Sequence, residues 1–492
     1  MPPLSGQTLL IAWLLLPFTA AFLAALLPPL ARGLALACCL ATAAVAAAIL
    51  AGALPASLHL LGPYGVVLQP DALAAPFLLL NALVCGAVVL DGWCRPLPGP
   101  FLLLLMVLHG GLASAFVAVD LISLYVTLEV VGISAFLLIL ITRSERSLWL
   151  ALRYLLISNT VMTLYLIGAA LVYLDQGSFQ LEAVATAGAA ALSLLLVGLL
   201  TKAGLFLSGL WLPRTHAEAP AEVSALLSGV VVAAGIVPLL RLSVAVPTLA
   251  TVLPTIGLAS AGLGLLFALV EPEAKRLLAW STLSQMGLVL LVPAAGGLYA
   301  LGHGLAKSAL FLVARRFPGR DLAGWAGRPL PTGVLVPLWI GSLSIVGVPP
   351  LLGFFAKSNL DRVLPGPTGL LLSLLSVGTA AVFARFWSAP LRPSTPPPEA
   401  MAPAEPAWSP GVLLLLAALV LLGAREATRS WSPALGPAAA KAVLVLAAGV
   451  GLHRVLQPLR RRPWFRLPDL EGFPDLIGGI GVVGAGLLVW VR

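Results

Sequence analysis

Apolar stretches of about 20 residues follow one another from end to end of this 492-residue chain, each long enough to cross about 30 Å of hydrocarbon as a helix. In lipid every backbone N–H and C=O must find a partner within the protein, which leaves helices and closed barrels as the spanning structures. A barrel would show strands of about ten residues with strict alternation, and the sequence has no such pattern. The expected fold is all-α: a polytopic bundle of about 14–16 transmembrane helices. Candidate spans fall at 8–28, 34–54, 72–90, 100–118, 121–141, 150–173, 186–208, 223–240, 250–270, 277–296, 299–314, 333–360, 367–388, 411–424, 435–456 and 473–491. The span at 411–424 is short enough to be re-entrant.

Composition supports this reading. The chain is 60% hydrophobic and 10% charged, against about 25% charged in a soluble domain, and disorder requires the opposite balance. The net charge of +9 does not indicate a nucleic-acid partner, because the cations are scattered singly between spans and form no basic stripe. They sort by loop instead. Arg32, Arg95, Arg143, Arg146, Arg214, Lys275, Arg276, Arg315, Arg316 and Arg320 follow odd-numbered spans, whereas the even-numbered connections hold Arg241, Arg362, Arg425 and Arg429. Cations collect on the cytoplasmic side, so the N-terminus is expected outside, in a bacterial-type inner membrane. The first cation, Arg32, comes after the first apolar run, which reads as a span and not as a signal peptide.

Cys38, Cys39, Cys85 and Cys94 have no metal-ligand spacing. The sequence contains no nucleotide loop and no long polar domain, so any energy source is an ion gradient or a partner. Residues 390–410, with Ser394-Thr395-Pro396-Pro397-Pro398, read as a loop ahead of a C-terminal appendage.

Ionisable groups inside apolar spans are costly and mark function. Glu129 lies mid-helix between Leu128 and Val130, and Lys202 lies in Leu200-Thr201-Lys202-Ala203 with no polar loop nearby. His303 and Lys307 share a helix face, four residues apart. Lys357 follows Gly353-Phe354-Phe355-Ala356, where snorkelling to an interface is the plainer alternative. Two of these helices are interrupted: Trp211-Leu212-Pro213 follows Lys202, and Gly347-Val348-Pro349-Pro350 precedes Lys357. Interrupted helices in corresponding places of two halves point to an inverted-repeat transporter. A lysine whose glutamate partner can approach or retreat is a switchable proton site.

The motifs carrying these residues resemble those of the antiporter-like proton-translocating subunits found in complex I and in Mrp-type Na⁺/H⁺ antiporters. The resemblance rests on Trp211-Leu212-Pro213-Arg214-Thr215-His216-Ala217-Glu218-Ala219-Pro220 and on Val223-Ser224-Ala225-Leu226-Leu227-Ser228-Gly229. It extends to Lys275-Arg276-Leu277-Leu278-Ala279-Trp280-Ser281-Thr282, to the run from His303 to Phe311, and to Gly347-Val348-Pro349-Pro350 through Lys357. A weaker match is Pro63-Tyr64-Gly65-Val66-Val67 leading into Asp71.

Together these motifs cover roughly residues 60–390. The resemblance implies two inverted five-helix repeats, at 99–241 and 242–390, between N-terminal helices (1–98) and an appendage (391–492). It implies that Glu129 pairs with Lys202 of the first broken helix, that His303 and Lys307 are central proton carriers, and that Lys357 lies on the second broken helix where protons exit. Partners would be other membrane subunits, the bilayer, protons and Na⁺, with no cofactor and no redox centre in this chain.

Three departures from the family pattern bear on the path. The stretch 228–235 contains nothing titratable where relatives carry a lysine or histidine, Arg214 replaces the usual Asp, and Glu222 replaces the usual Pro. Ser224 and Ser228 are the residues there able to hold a bridging water. The expected function is proton translocation in a Mrp-type antiporter. The alternatives are the homologous subunit of an NAD(P)H:quinone oxidoreductase and a non-conducting scaffold.

Overall fold

The computed structural model describes residues 6–54, 57–60, 66–95, 97–326, 328, 330–388, 408–430, 435–460, 462 and 467–491. The segment Pro63-Tyr64-Gly65 and most of the expected 390–410 loop lie outside them. The first helices are α1 (Gly6–Leu26), α2 (Ala31–Leu50), α3 (Ala74–Asp91), α4 (Phe101–Val117), α5 (Leu121–Ile139) and α6 (Glu145–Gln176). A broken span follows as α7 (Ala189–Lys202) and α8 (Leu212–Glu218), and then α9 (Ala221–Leu226) and α10 (Ala233–Ala245). The second set is α11 (Leu249–Val270), α12 (Ala274–Val289), α13 (Pro293–Ala314), the interrupted pair α14 (Thr332–Val346) and α15 (Leu352–Val363), and α16 (Gly366–Ser388). The appendage is α17 (Pro410–Arg429), α18 (Leu435–Leu459) and α19 (Phe473–Trp490). Two-residue strands at Leu58–His59 and Val67–Leu68 pair antiparallel before α3.

The protein is an integral, multi-pass, all-α membrane protein. Twelve spans among the described residues are long and apolar enough to cross a membrane, and the α7–α8 region forms a further one, bent by 43°. That is fewer than the sixteen apolar stretches. The shortfall has a physical cause, since α4 and α14 are shorter apolar helices and α12 is polar. Its Ser281, Thr282, Ser284 and Gln285 are all buried among other helices, where apolarity toward lipid is not required. The stretch at 411–424 is a 20-residue helix, so the re-entrant reading is corrected. Its start is set by Ser409, whose hydroxyl caps Val412 N at 3.3 Å.

The spans α9–α10 and α13 form the centre, the first wholly and the second almost wholly buried, whereas α18 and α19 are peripheral. Glycine permits this closeness. A Cβ on Gly304 would stand 2.7 Å from the carbonyl of Gly229, and one on Gly229 would stand 2.1 Å from Ser308 Oγ. Between α9 and α10 the backbone makes one π-helical turn, Leu227–Val231, a feature common at functional sites.

The two halves share a local pattern. Leu121 N and Leu181 N donate to Phe179 O and Val119 O, and Ala274 N and Leu322 N donate to Arg320 O and Pro272 O. Each pattern ties the start of one helix (α5 or α12) to the segment after the next (α6 or α13). The breaks match too, because Gly204 (φ +67°) and Gly347 (φ +94°) turn the chain through the left-handed region that glycine tolerates.

Candidate functional site: three buried lysines

Lys202 closes α7 and projects between α5 and α6. Its Nζ donates to Ser158 Oγ at 2.6 Å and to the carbonyl of Leu128 at 3.1 Å. Glu129 Oε1 lies 3.9 Å away, within ion-pair range but beyond hydrogen-bond length, and it has no hydrogen-bond partner. Gly132 makes room for the ammonium, since a Cβ there would stand 2.8 Å from Nζ. A small cavity of about 10 Å³ touches Lys202, Ser158, Thr201, Tyr154 and Trp211, close to the space one water occupies.

Lys307, in the middle of α13, is fully buried. Its Nζ donates to the carbonyl of Leu278 at 2.7 Å and to Ser281 Oγ, and it faces the Phe383 ring at 5.4 Å. Among the described residues it has no ion-pair partner. His303, one turn earlier, is buried with neither ring nitrogen hydrogen-bonded. Lys357 lies in α15 with its Nζ 3.1 Å from Val346 O at the end of α14. It is buried, so the alternative of snorkelling to an interface does not hold. Asp361, one turn on, is 2.8 Å from Lys441 of α18.

The structure thus sets Lys202 beside Glu129, and it sets His303 on the same helix as Lys307. At and beside the stretch 228–235, which holds nothing titratable, it places hydroxyls. Ser224 Oγ donates to His216 O at 3.1 Å, and Ser228 and Thr282 are hydrogen-bonded at 2.7 Å. Thr282 is next in sequence to Ser281, the partner of Lys307. His216 is buried, stacks on Phe311 at 4.8 Å and has no partner for either ring nitrogen.

Sequence reasoning did not single out Ser158, Ser281 or Thr282. The polar run Ser158-Asn159-Thr160 within an apolar span was the available signal for the first. The other two lay inside a quoted motif without an assigned role.

The two departures in the signature are ion-paired. Glu222 pairs with Arg95, which also pairs with Asp91, and Arg214 meets Asp469 at 2.8 Å. They belong to a charged network on the face reached by the odd-numbered connections. There Glu218 holds Arg146 and Arg320, with Arg320 also 3.0 Å from Glu273. Arg276 pairs with Glu471, from the segment before α19, and lies 3.4 Å from Glu271. Burial pushes the Glu471 carboxyl up to about 6 despite Arg276, and it raises Glu271 likewise. On the opposite face Arg241 grips Asp71 with two contacts, at 2.6 and 3.0 Å.

The family described as NADH:quinone oxidoreductase/Mrp antiporter, transmembrane, matches residues 118–381, more than half of the chain. The NADH-quinone oxidoreductase subunit N of Desulforudis audaxviator is 31% identical over 335 residues, which is 60% of this chain and 66% of that protein. A Na(+)/H(+) antiporter subunit of Alkalihalophilus pseudofirmus is 29% identical over 334 residues, with the same coverage. The match therefore spans just under two thirds of either relative. In fold the chain is similar to a chain of the Mrp complex from Dietzia sp., with a TM-score of 0.75 and 23% identity, covering 97% of this chain and 59% of that one.

Proposed function

The chain belongs to the NADH:quinone oxidoreductase/Mrp antiporter transmembrane family, and from that premise we propose that it is the proton-translocating subunit of a multisubunit Mrp-type cation (Na⁺)/proton antiporter. One observation carries the reading. Three lysines sit buried within the helix bundle, held mainly by carbonyls and hydroxyls, and only Lys202 among them has a carboxylate within ion-pair reach in the described residues. Charges so placed cost too much to be kept for packing alone.

In this mechanism Glu129 modulates Lys202, and protons pass by water and the hydroxyls of Ser228, Thr282 and Ser281 to Lys307 and His303. They leave at Lys357. The matched hydrogen bonds before α5 and α12, and the matched glycine breaks, support two inverted repeats, 99–241 and 242–390, meeting within the last turns of α10. Other membrane subunits are the partners, and the N-terminus lies outside an inner (cytoplasmic) membrane.

A second reading is favoured by the Desulforudis relative: the homologous subunit of an NAD(P)H:quinone oxidoreductase, in which quinone reduction elsewhere drives the same path. The subunits that co-purify distinguish the two. The path itself is tested by Lys202→Ala in the whole assembly, reconstituted into vesicles with a pH-sensitive dye inside. Proton movement is expected to stop. Movement at the unaltered rate would leave the chain as a non-conducting scaffold.

A further inference from the structure

On the face opposite the charged network, a cavity of about 410 Å³ opens among the ends of α2, α3, α13, α15 and α17. Its walls are apolar: Leu73 and Pro76 on the α3 side, Leu298 and Leu301 of α13, and Leu352 at the start of α15. Along α13 it runs from Pro293 to Leu301, about 12 Å at 1.5 Å per residue, which is most of one leaflet of about 15 Å. Its rim is polar, formed by Arg425, Glu426 and Arg429 on the last turns of α17.

The two arginines lie one helical turn apart. Neither takes part in an ion pair among the described residues, whereas the other cations named on this face are engaged, Arg241 by Asp71 and Arg362 by Asn359. With Glu426 beside them the rim carries one net positive charge. An apolar slot of leaflet depth under a guanidinium pair is complementary to one kind of molecule. We propose that this groove binds an anionic phospholipid, with an acyl chain between α3 and α13 and its phosphodiester on Arg425 and Arg429. Guanidinium groups suit this role because they bind phosphate oxygens through paired N–H donors. The single net charge fits a phosphodiester of one negative charge. Leu352 opens α15, so the bound chain would lie against the helix that carries Lys357.

The test uses the full chain in the assembly it is purified with. The assembly is stripped in mild detergent and then titrated separately with phosphatidylglycerol, phosphatidylcholine and inorganic phosphate, with bound lipid read by native mass spectrometry. Phosphatidylglycerol is expected to be retained, phosphatidylcholine to bind more weakly, and inorganic phosphate not to compete. Arg425→Gln/Arg429→Gln, on an exposed helix end, should weaken phosphatidylglycerol by about thirtyfold, as follows from about 1 kcal/mol per surface cation. Ala294→Trp, which fills the groove, should expel both lipids. Equal retention of the two lipids, unchanged binding by the double arginine variant, or another subunit sealing the groove would each overturn the proposal.

Discussion

Glu129 and Lys202 stand 3.9 Å apart, near enough to feel each other's charge and too far to share a proton directly. The ammonium is held by Ser158 and a carbonyl, and Oε1 of the carboxylate accepts no hydrogen bond among the described residues. Neither residue is locked by the other, so a small movement of α5 against α7 changes their coupling strongly. At an effective dielectric of about 20, two charges at 4 Å interact by about 4 kcal/mol.

Replacing Glu129 by Gln keeps the shape and removes the counter-charge. Proton movement by the reconstituted assembly is expected to slow by about tenfold or more, equivalent to about 1.4 kcal/mol, and thermal stability to fall, because the buried Lys202 ammonium loses its counter-charge. Dye-monitored vesicles report the rate. Wild-type transport in this variant would remove Glu129 from the mechanism.

Glu471 gives the charged face a pH dependence with a definite sign. Its carboxyl titrates at about 6 in the fold against 4.5 ordinarily. Below pH 4.5 both the folded and the unfolded states hold the proton. Between 4.5 and 6 only the folded state does, so stability falls as pH rises through that window, by about 2 kcal/mol in all. Glu471→Gln, which stands in for the protonated carboxyl, should match wild type at pH 4.5 and exceed it at pH 7 by up to that amount. Thermal melts followed by tryptophan fluorescence at the two pH values decide it. A variant less stable than wild type at pH 7 contradicts the sign.

The appendage touches both breaks through glycine. A Cβ on Gly423 of α17 would stand 2.3 Å from Pro350 O, and one on Gly479 of α19 would stand 2.7 Å from Leu207 O. Gly423→Ala and Gly479→Ala should each cost about 1–3 kcal/mol through overpacking and slow transport by displacing the broken spans. Gly478→Ala and Gly481→Ala meet nothing within 4 Å and serve as controls. If all four variants melt alike, the appendage does not brace the breaks.

Much of this architecture is legible in the residues because lipid imposes a simple code. The candidate stretches lie close to the helices in most cases, and the costly charges stood out because so little else in the spans is polar. What was not legible follows from pairing in space. The 277–296 stretch ends early because the chain leaves α12 after Val289 and begins α13 at Pro293, a turn hidden within an apolar run. Ser158 and Ser281 are ordinary in sequence and acquire meaning only when α7 and α13 direct a lysine at them. Likewise Arg214 and Glu222 read as departures until their partners Asp469 and Arg95, distant in sequence, are seen beside them.

The π-helical turn at Leu227–Val231 has a geometric consequence. In an unbroken α-helix, residues seven apart return to within about 20° of the same direction, so Ser228 and Gly235 would address the same neighbour. Here Ser228 meets Thr282 of α12, while a Cβ on Gly235 would stand 2.4 Å from Ala203 N at the first break. The additional residue in the turn sets back the phase of all that follows. One continuous segment thereby presents its hydroxyl to the second half of the molecule and its bare backbone to the first. This rotational offset lets a single segment pack against α12 on one side and against the first break on the other.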